Sequence, residues 1–110
     1  MKLAMVVPGG VDRSGEYRVI PALLALIRHL ARDHEMHVFS LYQEAQPGLW
    51  PLAGAQIHNV GHRRARLRGL AAIIAEHRNS PFTAIQSIFS GACGQVAVTA
   101  AALLRLPVAV

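Results

Sequence analysis

The sequence predicts an α/β domain in which a parallel, Rossmann-like sheet carries helices on both faces. Three observations lead there. A short apolar run, Leu3 to Val7, stops at Pro8 and Gly9-Gly10 and is followed by an apolar helical pattern. Short apolar runs then alternate with helical stretches in the order strand, helix, strand, strand, helix, strand, helix, strand. The composition, 53% hydrophobic with 15% charged residues, excludes a disordered chain and suits a sheet covered on both sides.

Taken in order, Leu3 to Val7 is too short for a helix and has no polar alternation, so it reads as a strand buried on both faces. The loop Pro8 to Gly15 follows. A helix then begins near Val19 or Ile20 and runs to about Asp33. Pro21 belongs in its first turn, because proline deeper in a helix removes a hydrogen bond and clashes. Val19, Leu23, Leu26, Ile27 and Leu30 make its apolar stripe. Met36 to Leu41 is a second strand, and Tyr42 to Gly54, with Pro47, Gly48, Pro51 and Gly54, reads as a loop. Gln56 to Val60 is a third strand, ended by Gly61. The second helix covers Ala65 to Arg78 with Leu67, Leu70, Ala71 and Ile74 as its stripe, and Asn79-Ser80-Pro81 breaks it. Ala84 to Phe89 is a fourth strand. Ser90 to Gly94 is a second glycine-bearing turn, leading to a third helix that ends near Leu104. Pro107 to Val110 begins a fifth strand. Right-handed crossovers order such strands most simply as 3-2-1-4-5.

The 110 residues make one domain. Stopping at the start of a strand that still needs covering reads as a truncated fragment, and the high apolar content leaves surface for a missing partner segment. The lone Cys93 gives no disulfide framework and fits a reducing compartment. The N-terminus lacks a secretory signal, and Gly94 to Leu106 is too short an apolar stretch to span a bilayer. The net charge of +5 is concentrated: Arg63, Arg64, Arg66, Arg68 and Arg78, opposed only by Glu76, contribute +4 of it. Positive charges at a helix N-terminus oppose the macrodipole, so a local anionic partner competes with a solvated helix end as their explanation. Nucleic acid is not expected, since no aromatic residue is interleaved with the arginines.

The glycine turn matches neither G-x-G-x-x-G nor a Walker A motif, and Ser40-Leu41-Tyr42 supply no acidic residue at the end of the second strand. Gly9 and Gly10 are either a plain tight turn or a loop whose amides meet a phosphate or sugar. Asp12, Arg13 and Glu16 are candidates for substrate contact beside the alternative of solvated loop charges. No metal is expected: His34 and His37 have a three-residue spacing, but no third ligand lies near them in sequence. Cys93 reads as a packing residue rather than a nucleophile.

The segments LAMVVPGG with PALLALIRHLARDHEMHVFSL, then IHNVGHRRARLRGLAAIIAEHR, then TAIQSIFSGACGQVAVTAAALLRLPVAV resemble the N-terminal domain of glycosyltransferase family 4, retaining enzymes of GT-B architecture. Order and spacing carry the likeness over essentially the whole chain. The resemblance implies that Gly9 and Gly10 face the donor's diphosphate and sugar. It implies that Asp12, Arg13, Glu16, Ser90 and Gly91 lie on the acceptor side, and that Arg63, Arg64, Arg66 and Arg68 meet an anionic membrane or a lipid phosphate. A His-x-His pair found in many members is replaced here by Gln86 and Ile88, and no catalytic residue is singled out.

The expectation is therefore the acceptor-side part of a hexosyltransferase-type enzyme. It would transfer sugar with retention from a nucleotide-diphosphate sugar to the hydroxyl of a glycan or lipid, without a metal cofactor. The expected location is cytoplasmic, with peripheral association at the inner membrane face as an option. The nucleotide-binding C-terminal domain lies outside this chain, so the 110 residues alone should be inactive. A non-catalytic Rossmann-like module that binds an anion or a partner is the alternative. The reading frame downstream of Val110 discriminates the two.

Overall fold

Strand β1 (Lys2–Val7) lies inside the sheet, where its unbroken apolar run is buried on both faces. In the computed structural model, which describes residues 1–88 and 91–110, it pairs in parallel with β2 (Glu35–Ser40) on one edge and with β5 (Ala84–Ser87) on the other. Beyond β2 lie β4 (Ala55–Asn59) and then β3 (Gly48–Leu52), and beyond β5 lies the short β6 (Val108–Ala109). The six strands are ordered β3-β4-β2-β1-β5-β6.

The sheet is mixed and six-stranded rather than purely parallel and five-stranded, which corrects the expectation; the five expected strands keep the order 3-2-1-4-5, here β4-β2-β1-β5-β6. Its extra member is β3, which pairs antiparallel with β4 within the stretch expected to be a loop. Ala53 and Gly54, with φ of 55° and 82°, form the two-residue link between them. That is the geometry of a type I′ hairpin turn, whose twist matches that of the strands it joins. Pro51 is tolerated because β3 is an edge strand with no neighbour on its outer side. Trp50 holds the strand down: its side chain is buried, and its indole Nε1 donates to the Val11 carbonyl at 3.1 Å.

Helix α1 (Pro21–Ala31) covers one face, burying Leu23, Leu24 and Ile27 against Met5, Val7, Val38 and Ile57. Pro21 is its first residue, and Val19 forms a bridge with Val11 instead of joining the helix. Helices α2 (Ala65–Asn79) and α3 (Ala92–Leu104) cover the other face over Ala4, Val6, Phe39, Leu41 and Ile85. None of the described helices is long and apolar enough to cross a membrane.

The expected stripe of α2 is corrected. Ala65, Gly69 and Ile73 face the core, whereas Leu67 is 66% exposed and Ala71 is also exposed. The cause is close approach: a Cβ on Gly69 would lie 2.8 Å from Leu41 Cδ2. Two small residues therefore share the inward face with Ile73, and of the expected stripe Leu70 packs half-buried against this core while Leu67 and Ala71 turn outward. Ile73→Ala should cost about 2–5 kcal/mol of stability, and Leu67→Ala no more than about 0.5 kcal/mol. Urea denaturation of the two variants beside the wild type checks this.

Candidate functional site

The carboxyl ends of the parallel strands carry residues 8–20 after β1, 41–47 after β2 and 60–64 after β4, and the chain continues from β5 to α3 at the same end. The chain leaves β1 through α1 to reach β2 on one side, and arrives at β5 on the other side through α2. The sheet therefore changes winding direction between β1 and β5, and a ligand crevice in doubly wound sheets lies outside the carboxyl ends at such a point. Gly9 and Gly10 stand on one side of it. Gly91, the residue capping the N-terminus of α3, stands on the other, with open space where a side chain would project. Ser90, expected on the acceptor side, lies outside the described residues.

Gly10 has φ of 82°, and a Cβ there would lie 2.8 Å from Ile20 Cγ1 and Cδ1. Ile20 N also donates to the Gly10 carbonyl at 3.0 Å. The absence of a side chain at Gly10 is thus a requirement of the loop's own packing. What the turn offers a ligand is its amides: among the described residues, those of Gly9 and Gly10 make no hydrogen bond to a backbone carbonyl.

The charged groups of the loop are engaged with one another. Asp12 is buried, accepting from Ser14 N at 3.1 Å and from Arg18 Nη2 at 2.7 Å. Hydrogen bonding by Ser14, and then the Arg18 guanidinium, hold its carboxyl below the ordinary 3.8. Arg13 forms a two-pronged pair with Glu44 at 2.9 and 2.8 Å and lies over the Trp50 ring, 4.6 Å from its centroid. Of the three loop candidates, Glu16 alone is exposed without a side-chain ion pair among the described residues. Cys93 is buried, and burial pushes its thiol up to about 11, which suits a packing residue.

Sequence reasoning missed the residues that stitch this rim together. Asn59 accepts from Glu44 N and donates to the carbonyls of Glu44 and Gln46 at 3.1 and 2.7 Å. Gln43 Oε1 accepts from Val11 N at 2.9 Å. The one signal for Asn59 is a polar residue on the buried side of an alternating strand, Ala55-Gln56-Ile57-His58-Asn59. At the same end, Arg63, Arg64, Arg66 and Arg68 are all exposed around the start of α2, and none joins an ion pair among the described residues. Arg64 caps the helix in a left-handed conformation, and Leu67 lies between the basic side chains.

The opposite end of the sheet holds a second polar cluster. His37 on β2, His58 on β4 and Glu76 on α2 bring their ligating atoms within 4.8 Å of one another. The two imidazoles meet at 2.9 Å, His37 Nδ1 to His58 Nε2. Burial, with the His37 ring beside it, pushes His58 down to about 4. The His34–His37 spacing considered in the sequence does not define this group; the three residues come from three separate elements.

No protein-family model, curated protein or solved structure matches the chain.

The Asp12 contacts lead to a pH test. A carboxyl held below its unfolded value stabilises the fold fully above that value, near 3.8, and loses the contribution as pH falls through the lower folded one. The stability difference between wild type and Asp12→Asn should be constant from neutral pH to about 5 and shrink below 3.8. Chemical denaturation at stepped pH measures it.

Proposed function

We propose that this chain is the acceptor-side, N-terminal domain of a retaining, family 4-like glycosyltransferase that uses a nucleotide-diphosphate sugar. The supporting observation is the placement of glycines beside the switch point, Gly9 and Gly10 after the carboxyl end of β1 and Gly91 at the head of α3, the helix that follows β5. In this reading a second domain grips the nucleotide. The Gly9 and Gly10 amides meet the leaving diphosphate, where hydrogen-bond donors fixed in advance stabilise developing charge. The polar contacts of Asp12, Arg13, Gln43 and Asn59 keep those donors in place. The exposed arginines at the same rim suit an acceptor carrying a lipid phosphate, or an anionic membrane surface that presents it.

A nuclear magnetic resonance titration with inorganic pyrophosphate and with nucleotide-diphosphate sugars tests this. The amides of Gly9, Gly10 and Gly91 should shift, while the same chain transfers no sugar by itself. Unmoved glycine amides would remove the loop from the site, and sustained transfer would overturn the assignment of donor binding to another domain.

The second reading, a non-catalytic module binding an anion, is favoured by the internal pairing of Asp12 with Arg18 and Arg13 with Glu44. Those pairs leave the two residues no free charge for a substrate.

For the arginine rim, replacing Arg63, Arg64, Arg66 and Arg68 with Ser should lower binding to acidic vesicles. The loss is about 4 kcal/mol at modest salt, at about 1 kcal/mol per residue, and is smaller as salt screens the charges. The fold should survive, because all four side chains are exposed. Co-sedimentation with acidic and neutral vesicles reads the outcome, and equal binding of the wild type to both would leave the rim as solvated surface.

A further inference from the structure

We propose that His37, His58 and Glu76 form a zinc-binding site at the end of the sheet opposite the glycine turns. Three elements build it. His37 and Phe39 project from the same face of β2, and Phe39 is the registered partner of His58 on β4, so both imidazoles lie on the face covered by α2. Glu76 reaches them from α2, one turn beyond the core residue Ile73.

The spacing suits a small divalent ion. Bonds of about 2.0–2.1 Å in a tetrahedral site place neighbouring ligand atoms about 3.3 Å apart. Here His37 Nδ1 lies 2.9 Å from His58 Nε2 and 3.4 Å from Glu76 Oε1, and the third separation is within 4.8 Å. Two imidazoles and one carboxylate are a donor set that zinc accepts, with its fourth position left for water. His37, His58 and Glu76 all line a surface groove that Leu49, Pro51 and Gln56 border, so water can reach the site.

The surroundings orient the donors. Glu35 Oε2 lies 2.6 Å from His37 Nε2. An ionised carboxylate only accepts, so Nε2 carries the proton and the Nδ1 lone pair is turned toward His58 and Glu76. A carboxylate behind a ligating imidazole is the usual outer partner in metal sites. Phe39 stacks on the His58 ring at 4.6 Å, and Phe82 meets the His37 ring edge-on at 5.7 Å, which limits the rotation of both rings. With that tautomer His58 Nε2 donates to His37 Nδ1 at 2.9 Å, so zinc entry requires the His58 proton to shift to its other ring nitrogen; the two imidazole lone pairs and Glu76 Oε1, 3.4 Å from His37 Nδ1, then share the cation.

Lys2 opposes the metal. Its ammonium lies 3.4 Å from Glu76 Oε1 while donating to the Ser80 and Glu76 carbonyls at 2.6 and 3.3 Å. Removing that charge should therefore strengthen zinc binding, an effect opposite to that of removing a ligand.

The test uses the 110-residue chain with any histidine tag cleaved, zinc alone as ligand, and cobalt as a spectroscopic stand-in. One zinc should bind per chain, raise the melting temperature and be removed by chelator. Cobalt should give the intense visible absorption of a tetrahedral site, and zinc should shift the ring nitrogens of both His37 and His58. Glu76→Gln and His58→Ala should weaken binding by more than tenfold, Glu35→Gln by about 10–100-fold, and Lys2→Met should strengthen it. His62→Ala, which removes an exposed histidine bonded to the Tyr42 carbonyl, should change nothing. Should His58→Ala fail to fold, Glu76→Gln, which keeps the side chain's shape, decides. Absence of zinc binding at micromolar concentration, or equal affinity in wild type and Glu76→Gln, would overturn the site.

Discussion

Strand β1 is paired on both edges and covered on both faces, and the placement of everything else follows from that burial. Its backbone groups are satisfied by β2 and β5, while Met5 and Val7 face α1 and Ala4 and Val6 face α2 and α3. A strand so enclosed cannot slip by one residue without exchanging its two apolar sets, so the register of the sheet is strongly specified. With the register set, the two ends of β1 acquire different roles. Its carboxyl end delivers the glycine turn to the point where the sheet changes winding direction. Its amino end places the buried Lys2 ammonium against the last carbonyls of α2, where a cation also complements the helix dipole.

The glycine turn is held by side chains from distant parts of the chain. Trp50 of the edge hairpin bonds the Val11 carbonyl, and Gln43 bonds the Val11 amide. Asn59 anchors the segment that carries Gln43 and Glu44, and Glu44 in turn fixes Arg13. The edge strand β3 therefore does more than lengthen the sheet: it supplies the aromatic floor beneath the loop. Such cross-bracing supports any function that relies on backbone amides, since amides held in place reorganise little when charge arrives.

Much of the architecture is readable from local pattern. The unbroken apolar run of β1, the shorter apolar stretches of β2 and β5, and the helix stop at Asn79-Ser80-Pro81 each express a local preference that the fold keeps. So do the glycine turn after β1 and Pro21 at the head of α1. The edge strand was hidden because Pro47, Gly48, Pro51 and Gly54 are turn formers in isolation. Only the hairpin pairing with β4, and the lack of an outer neighbour, make Pro51 acceptable there. The inward face of α2 was hidden because Ala65 and Gly69 carry little hydrophobic weight, although their small size is what brings the helix onto Leu41.

The sequence by itself determined that this is an α/β chain, where its helices and parallel strands fall, and that its positive charge gathers at the head of the second helix. These properties depend on residues close together in the chain. Tertiary structure alone decided which side chains meet. Asp12 and Arg13 read as free loop charges until Arg18 and Glu44 are placed beside them. His37, His58 and Glu76, unremarkable one by one, converge because strand pairing sets two histidines on one face and helix packing lowers a glutamate onto them. Chemistry of that kind depends on distances across the sheet, which spacing along the chain does not encode.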